Sequence, residues 1–250
     1  MVRHRDPDGG HNKHVVPTDL WLLTITDQSV NENGKKIIWY IARECSEESQ
    51  STYNSIGLVE WLLSNDSLAG IAREKAIWKI IPIANPHNVA LNELQPGTLK
   101  ADWNKPDAEL MSNNHEAVIF IRDEMMAWKN SGRSVDFAVR AHAPFPFYTW
   151  FPNAGYDMEI TKIAHEEAAK YDVNFNMSGD VNAMTENRWT TWVNKKFELE
   201  GKVPCYLTEA GIFNTKENSD NKSVFMYHHD FVRNGEISGI IISRYLGFKK

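Results

Sequence analysis

Short apolar segments alternate along the chain with longer segments in which apolar residues recur every three or four positions. The short segments are rich in aliphatic, β-branched and aromatic residues, the last two of which favour β-strands. They predict strands over residues 20–26, 36–42, 76–83, 135–141 and 203–209. The second segment is almost entirely apolar, which is typical of a strand covered on both faces of a sheet.

The longer segments predict helices that separate these strands. Their bounds are about 52–64, 66–75, 107–129, 156–171, 186–198 and 223–233, followed by a last apolar segment at 237–243. Asp66 is expected to cap the second helix. Residues 84–106 show no clear period and contain Asn85-Pro86, so they predict a long loop.

The alternation of strands and helices predicts an α/β fold, a three-layer α/β/α sandwich around a mixed, mostly parallel sheet. Residues 1–17 are polar and predict an N-terminal arm, whereas residues 18–250 contain no linker or repeat and predict a single domain. The 250 residues are 42% hydrophobic and 24% charged. These values are close to globular averages, and they exclude an intrinsically disordered or collagen-like chain.

Charge and hydropathy narrow the classes of partner. The net charge of −6 argues against a nucleic-acid partner. No segment approaches the roughly 18 uninterrupted apolar residues of a membrane span, and the N-terminus lacks the apolar region of a signal peptide. Cys45 and Cys205 are too few for a disulfide framework.

Polar residues capable of chemistry follow several of the predicted strands. Cys45 and Glu48 come after the second strand, His142 after the fourth, and Glu209 ends the fifth. In open α/β sheets the site lies beyond the carboxyl ends of the strands. Cys, Glu and His are zinc ligands, and a catalytic zinc takes three protein ligands and one water. A further carboxylate beside that water can act as a general base.

The segment from Ile41 to Val89, IARECSEESQ through IPIANPHNV, resembles the zinc metallocarboxypeptidases, the carboxypeptidase A/B-like family. Glu48 falls on the Glu of that family's His-x-x-Glu motif. Residues 102–105, Asp-Trp-Asn-Lys, fall on its Asp-x-Asn-Arg motif. His142 falls on the third zinc ligand, and Glu209 in YLTEAG falls on the general base. The order and spacing match from about residue 20 to the C-terminus.

The resemblance implies a metallocarboxypeptidase-like zinc hydrolase that cleaves a peptide or related amide bond, with residues 18–250 as its catalytic domain. One zinc ion is expected, held by Cys45, Glu48 and His142. Glu209 is expected to take a proton from the metal-activated water and return it to the leaving amine. The implied partner is a peptide or peptide-like small substrate.

The same resemblance implies that Asn104 and Lys105 hold a substrate carboxylate. Two departures from the family pattern fall on the site: Cys45 stands in place of the first zinc-ligand His, and Lys105 in place of the substrate-binding Arg. A thiolate is a good zinc ligand, but it makes the metal a weaker Lewis acid than His would. The family's carbonyl-polarising Arg has no match between Asn85 and Asp102, where Lys100 is the one cation.

Each site residue also has an ordinary structural interpretation. Cys45 can be a small buried hydrophobe, since free cysteine is commonly buried. Glu48 can be a solvated charge at a helix start, His142 a hydrogen-bonded core histidine, and Glu209 a member of a buried network. Two other functions therefore stay open: a catalytically impaired binding module on the same fold, or a hydrolase of a glycan-linked ester or amide. Trp150, Trp189 and Trp192 are of a type more often found in a core than as sugar platforms, but Trp150 and Trp189 are expected to contribute walls to a substrate pocket if hydrolysis occurs.

Overall fold

The computed structural model describes residues 18–90, 103, 115–145, 148–152, 158–171, 173, 175–177, 189–197, 205–211, 213–214, 224–225 and 227–249. The described strands are β1 (Leu23–Ile25), β2 (Lys36–Ala42), β3 (Ala76–Ile81), β4 (Phe137–Phe145), β5 (Tyr148–Pro152), β6 (Phe175–Met177), β7 (Cys205–Gly211), β8 (Phe213–Asn214) and β9 (Val224–Phe225). The described helices are α1 (Ser49–Leu63), α2 (Ser67–Lys75), α3 (Pro86–Ala90), α4 (His115–Asn130), α5 (Met158–Lys170), α6 (Trp189–Lys196) and α7 (His228–Tyr245).

The main sheet has seven strands in the order β1-β3-β2-β4-β7-β5-β6. The pairings β2–β3, β2–β4, β4–β7 and β5–β6 are parallel, and β1–β3 and β5–β7 are antiparallel. Strands β2, β4 and β7 are thus parallel neighbours at the centre of the sheet. The prediction of a mixed, mostly parallel sheet is confirmed.

The two faces of β2 pack against different sets of helices because successive side chains of a strand point to opposite faces. Ile38, Tyr40 and Ala42 share a core with buried residues of α1, α2, α5 and α7. Ile37, Trp39 and Ile41 share the other core with buried residues of α4 and α6. Helices therefore cover both faces, as the predicted three-layer sandwich requires, and the almost continuous apolar sequence of β2 is explained.

Helices α1 and α7 approach so closely that glycine is required where they touch. A Cβ atom added to Gly57 would lie 1.8 Å from the carbonyl oxygen of Val232. One added to Gly235 would lie 1.8 Å from the carbonyl oxygen of Asn54. Both obstacles are backbone atoms, which cannot move aside without separating the helices.

We expect Gly57→Ala and Gly235→Ala each to lower the free energy of unfolding by about 1–3 kcal/mol or more, because each overpacks a close contact. Gly70→Ala on α2 is the matched control, since its nearest atom would be the flexible Arg73 Nη2 at 3.9 Å. Gly70→Ala should raise the free energy of unfolding by roughly 0.5–1 kcal/mol, because glycine inside a helix is destabilising relative to alanine. Urea denaturation measures all three. Equal effects at the three positions would contradict the close approach of the helices.

Some predicted elements change in the structure. The predicted loop at 84–106 is wrong at its start, where α3 begins with Pro86; proline suits the first helical position because that amide has no helical partner. Strands β5 and β6 were not predicted. The predicted helix at 223–233 is wrong at its start, where β9 occupies Val224–Phe225. The rest of it merges with the apolar segment at 237–243, since α7 runs unbroken from His228 to Tyr245. Among the described residues, no helix has the length and hydropathy needed to cross a membrane.

Candidate metal centre

The turn between β2 and α1 is held in an unusual backbone conformation. Arg43 has a φ of 54°, in the left-handed region that costs a non-glycine residue about 1–3 kcal/mol. Its guanidinium Nε and Nη2 donate hydrogen bonds to the carbonyl oxygen of Ser46 at 3.0 and 2.9 Å. Its backbone N–H donates to Ser51 Oγ at 3.1 Å. These bonds hold the turn that carries Cys45 and Glu48.

Asn85 ties the same turn to the end of β3. It is fully buried, its backbone N–H donates to the carbonyl oxygen of Arg43 at 3.1 Å, and its Nδ2 donates to that of Glu44 at 3.0 Å. The Asn-Pro that follows the third strand therefore supports the Cys45–Glu48 turn.

Cys45, Glu48 and His142 lie together at the carboxyl ends of the adjacent strands β2 and β4. One ligand atom from each lies within 4.8 Å of the other two. His142 Nδ1 lies 3.7 Å from Cys45 Sγ and 2.9 Å from Glu48 Oε2. All three residues are buried, with exposed fractions of 4%, 7% and 5%. Glu47, between them in the chain, is exposed.

This donor set fits a zinc ion. A thiolate, a carboxylate and an imidazole nitrogen are the three kinds of ligand that zinc takes in proteins, and three protein ligands leave one position for water. Two anionic donors would balance the charge of a divalent cation in a site where an unpaired charge is costly. The residues present could therefore hold the metal that the sequence predicts.

Glu44 and Arg140 lie on the far side of the His142 ring. Glu44 Oε2 lies 2.9 Å from His142 Nε2 and forms an ion pair with Arg140 Nε. Burial raises the pKa of Glu44, but the charge of Arg140 and the hydrogen bond from His142 outweigh it, so the pKa falls below its ordinary value. Glu44 is therefore an ionised carboxylate in a buried position.

Protons compete with a metal for the same atoms. Burial raises the pKa of the Cys45 thiol to about 11. Burial and the charge of Arg140 lower the pKa of His142, but hydrogen bonds to Cys45, Glu44 and Glu48 outweigh them and raise it well above its ordinary value. Metal binding must therefore displace protons from both ligands.

The remaining predicted site residues are Glu209, Asn104 and Lys105. Glu209 lies on β7, with its backbone opposite His142 on β4 and Thr149 on β5, and its side chain lies outside what the structure describes. Asn104 and Lys105 lie outside the described residues. Their neighbour Trp103 is buried, with its ring centroid 6.2 Å from that of Trp192.

Trp150 and Trp189 are fully buried core residues. The expectation that they form the walls of a substrate pocket is wrong, because no part of either side chain is open to a ligand. Trp150 packs on the α5–α7 side of the sheet and Trp189 on the α4–α6 side.

The sequence analysis assigned no role to Glu44 or Arg140. A signal for them exists, since Arg140 interrupts the apolar sequence of β4 and Glu44 comes two residues after the end of β2. Charged residues are almost never fully buried unless they are paired, so these two placements predict a partner for each.

No protein-family model matches the chain. Mouse cytosolic carboxypeptidase 6 is 26% identical over 132 residues, which are 52% of this chain and 24% of that protein. Its human counterpart is 25% identical over 132 residues, 52% of this chain and 26% of that protein. The chain thus spans about a quarter of the length of these relatives.

Solved structures match over more of the chain. A metallo-carboxypeptidase from Burkholderia cenocepacia has a TM-score of 0.66 and 19% identity, covering 90% of this chain and 60% of that one. The cell shape determinant Csd4 of Helicobacter pylori, solved with a bound tripeptide, has a TM-score of 0.58 and 10% identity, covering 92% and 56%. The resemblance predicted from the sequence is confirmed: this chain has the metallocarboxypeptidase fold.

Proposed function

We propose that the chain is a zinc-dependent hydrolase of a peptide or related amide bond, with residues 18–250 acting as one catalytic domain. The observation that carries the proposal is the buried cluster of Cys45, Glu48 and His142 at the carboxyl edge of the sheet. That edge is where open α/β folds bind their ligands. The named carboxypeptidases among its relatives, and the tripeptide bound to Csd4, support a peptide-like substrate.

Cys45, Glu48 and His142 would hold one zinc ion, the two anions balancing its charge and the imidazole binding through Nδ1. A zinc ion bound in this way activates water and polarises a carbonyl group. The thiolate of Cys45 donates more charge than an imidazole would, so we expect this metal to be a weaker Lewis acid than one held by two histidines.

Glu209 would act as the general base. Its backbone lies beside that of His142 on the neighbouring strand, which supports this role. In the proposed reaction its carboxylate accepts a proton from the attacking water. It then returns that proton to the leaving amine, so the carboxylate is regenerated in each cycle.

Asn104 and Lys105 would hold the carboxylate of the substrate. Lysine offers a point charge on a flexible stem, whereas arginine offers a planar fork that matches both carboxylate oxygens. We therefore expect Lys105 to hold a free C-terminal carboxylate less firmly than an arginine would, and standard blocked dipeptides to be cleaved slowly.

Metal content tests the proposal. Protein purified from zinc-supplemented medium should contain about one equivalent of zinc. Cys45→Ala and His142→Ala should each lose it during purification, because two remaining protein ligands bind zinc much more weakly than three. His165→Ala, at an exposed histidine of α5, is the control and should keep the metal. Elemental analysis of the folded proteins gives the result.

One observation favours a second function, a non-catalytic binding module. Both ring nitrogens of His142 already have carboxylate partners, Glu44 and Glu48, so the buried histidine is satisfied without an ion. Absence of zinc from the wild-type protein, with retention of the fold, would replace the hydrolase with this module.

A further inference from the structure

Glu44 is a buried carboxylate that the proposed reaction does not use. Its exposed fraction is 1%, and it directly precedes Cys45 in the chain. Its carboxylate meets the metal cluster at the ring of His142, at the nitrogen away from Cys45 and Glu48. A group in this place cannot ligate an ion held at Nδ1, but it can control the ring that does.

The two nitrogens of His142 face different partners. Nδ1 faces Cys45 Sγ at 3.7 Å and Glu48 Oε2 at 2.9 Å, whereas Nε2 faces Glu44 Oε2 at 2.9 Å. A carboxylate can only accept a hydrogen bond, so Nε2 must carry a proton to bond with Glu44. In the neutral ring Nδ1 then keeps the lone pair that a metal needs.

Arg140 holds Glu44 in place. The parallel register pairs Arg140 of β4 with Ile41 of β2, which brings its guanidinium to the carboxylate that follows β2. A buried carboxylate without a counter-charge would be strongly disfavoured. Arg140 therefore allows an ionised acceptor behind the histidine.

The pattern of hydrogen bonds at the Glu44 carboxylate indicates that Glu44 orients the His142 ring in addition to pairing with Arg140. A glutamate that served only to neutralise Arg140 would be expected to form a bidentate pair, in which two guanidinium N–H groups donate to the two carboxylate oxygens. Here Oε2 is shared by Arg140 Nε and His142 Nε2. Among the described residues, Glu44 Oε1 and Arg140 Nη1 have no hydrogen-bond partner.

We infer that Glu44, held by Arg140, is a positioning residue that keeps the His142 proton on Nε2 and directs Nδ1 toward Cys45 and Glu48 to bind a divalent metal. The inference rests on the proposed metal site. Outer carboxylates that accept a hydrogen bond from a ligating histidine orient the ring and raise its basicity.

Zinc affinity, measured by competition with a chromophoric chelator, tests the inference in three variants. We expect Glu44→Gln and Glu44→Gln/Arg140→Gln to bind zinc about 10- to 100-fold more weakly than wild type, the usual effect of losing such a partner. The double variant removes both charges, so it avoids an unpaired buried arginine. Glu167→Gln is the matched control, because Glu167 is also buried beside an arginine, Arg244, away from the metal cluster.

Nitrogen-15 NMR of the wild-type protein tests the tautomer without any variant. In the zinc-loaded protein the His142 proton should reside on Nε2 and exchange slowly with solvent, a property that a purely structural ion pair would not set. A proton on Nδ1 would overturn the inference. So would equal zinc affinities in wild type and both Glu44 variants. A wild type with no zinc affinity would instead overturn the proposed metal site, and this inference with it.

Discussion

Glu209→Gln is expected to lower kcat/KM for the amide substrate by ~10²–10⁴, the usual contribution of general acid–base catalysis. The amide of Gln keeps the size of the side chain but cannot accept and return a proton at neutral pH. Zinc content and thermal unfolding should stay at wild-type values, because the metal ligands are untouched. The measurements are steady-state kinetics, elemental analysis and a thermal melt on the same preparations.

Glu47→Gln is the control for the Glu209 experiment. Glu47 is an exposed carboxylate beside the metal ligand Glu48, so its removal changes the charge near the site without removing a proposed base. Equal rates for wild type and Glu209→Gln would remove Glu209 from the mechanism. A loss of folding in Glu209→Gln would instead indicate a carboxylate tied into a buried hydrogen-bond network.

Lys105→Ala is expected to lower kcat/KM by ~10–100-fold for a substrate with a free C-terminal carboxylate, since hydrogen bonds to charged groups contribute about 1.5–3 kcal/mol. The same substrate with an amidated C-terminus has no charge for Lys105 to hold, so its cleavage should not change. Steady-state kinetics on the acid and amide pair, in wild type and variant, measures the difference.

Lys36→Ala is the control for the charge lost with Lys105. Lys36 is exposed at the start of β2, at the end of the strand opposite the metal cluster, where it pairs with Asp136. Equal cleavage of acid and amide by the wild type would contradict a carboxypeptidase and favour a hydrolase of a different bond. Cleavage of neither, with zinc present, would favour the binding module.

Local sequence determined the elements whose signal is strong within a few residues. The predicted strand 36–42 matches β2 residue for residue, because an unbroken apolar sequence has to be covered on both faces. Asp66 caps α2 as predicted, since its carboxylate accepts hydrogen bonds from the backbone N–H groups of Leu68 and Ala69. The alternation of such segments was sufficient to predict the layered α/β architecture.

Elements with weak local signals were decided by tertiary contacts. Strands β5 and β6 are stabilised by pairing at one side of the sheet, β5 antiparallel to β7 and β6 parallel to β5. Helix α7 continues through residues 237–243 because it is packed against α1, α2 and α5, which bury that apolar segment. Propensity alone cannot predict these outcomes, since the stabilising partners are distant in sequence.

The candidate site also combines features that the local sequence predicts with features that depend on tertiary contacts. Cys45, Glu48 and His142 could be nominated from the sequence, because each has the chemistry of a zinc ligand and each follows a predicted strand. The pairing of Glu44 with Arg140 behind these residues could not be predicted from the sequence. The two residues are 96 positions apart and meet only because β2 and β4 are parallel neighbours. Strand order and register arise from the packing of the whole chain. Only the tertiary structure could therefore show which nitrogen of His142 faces the metal ligands and which faces Glu44.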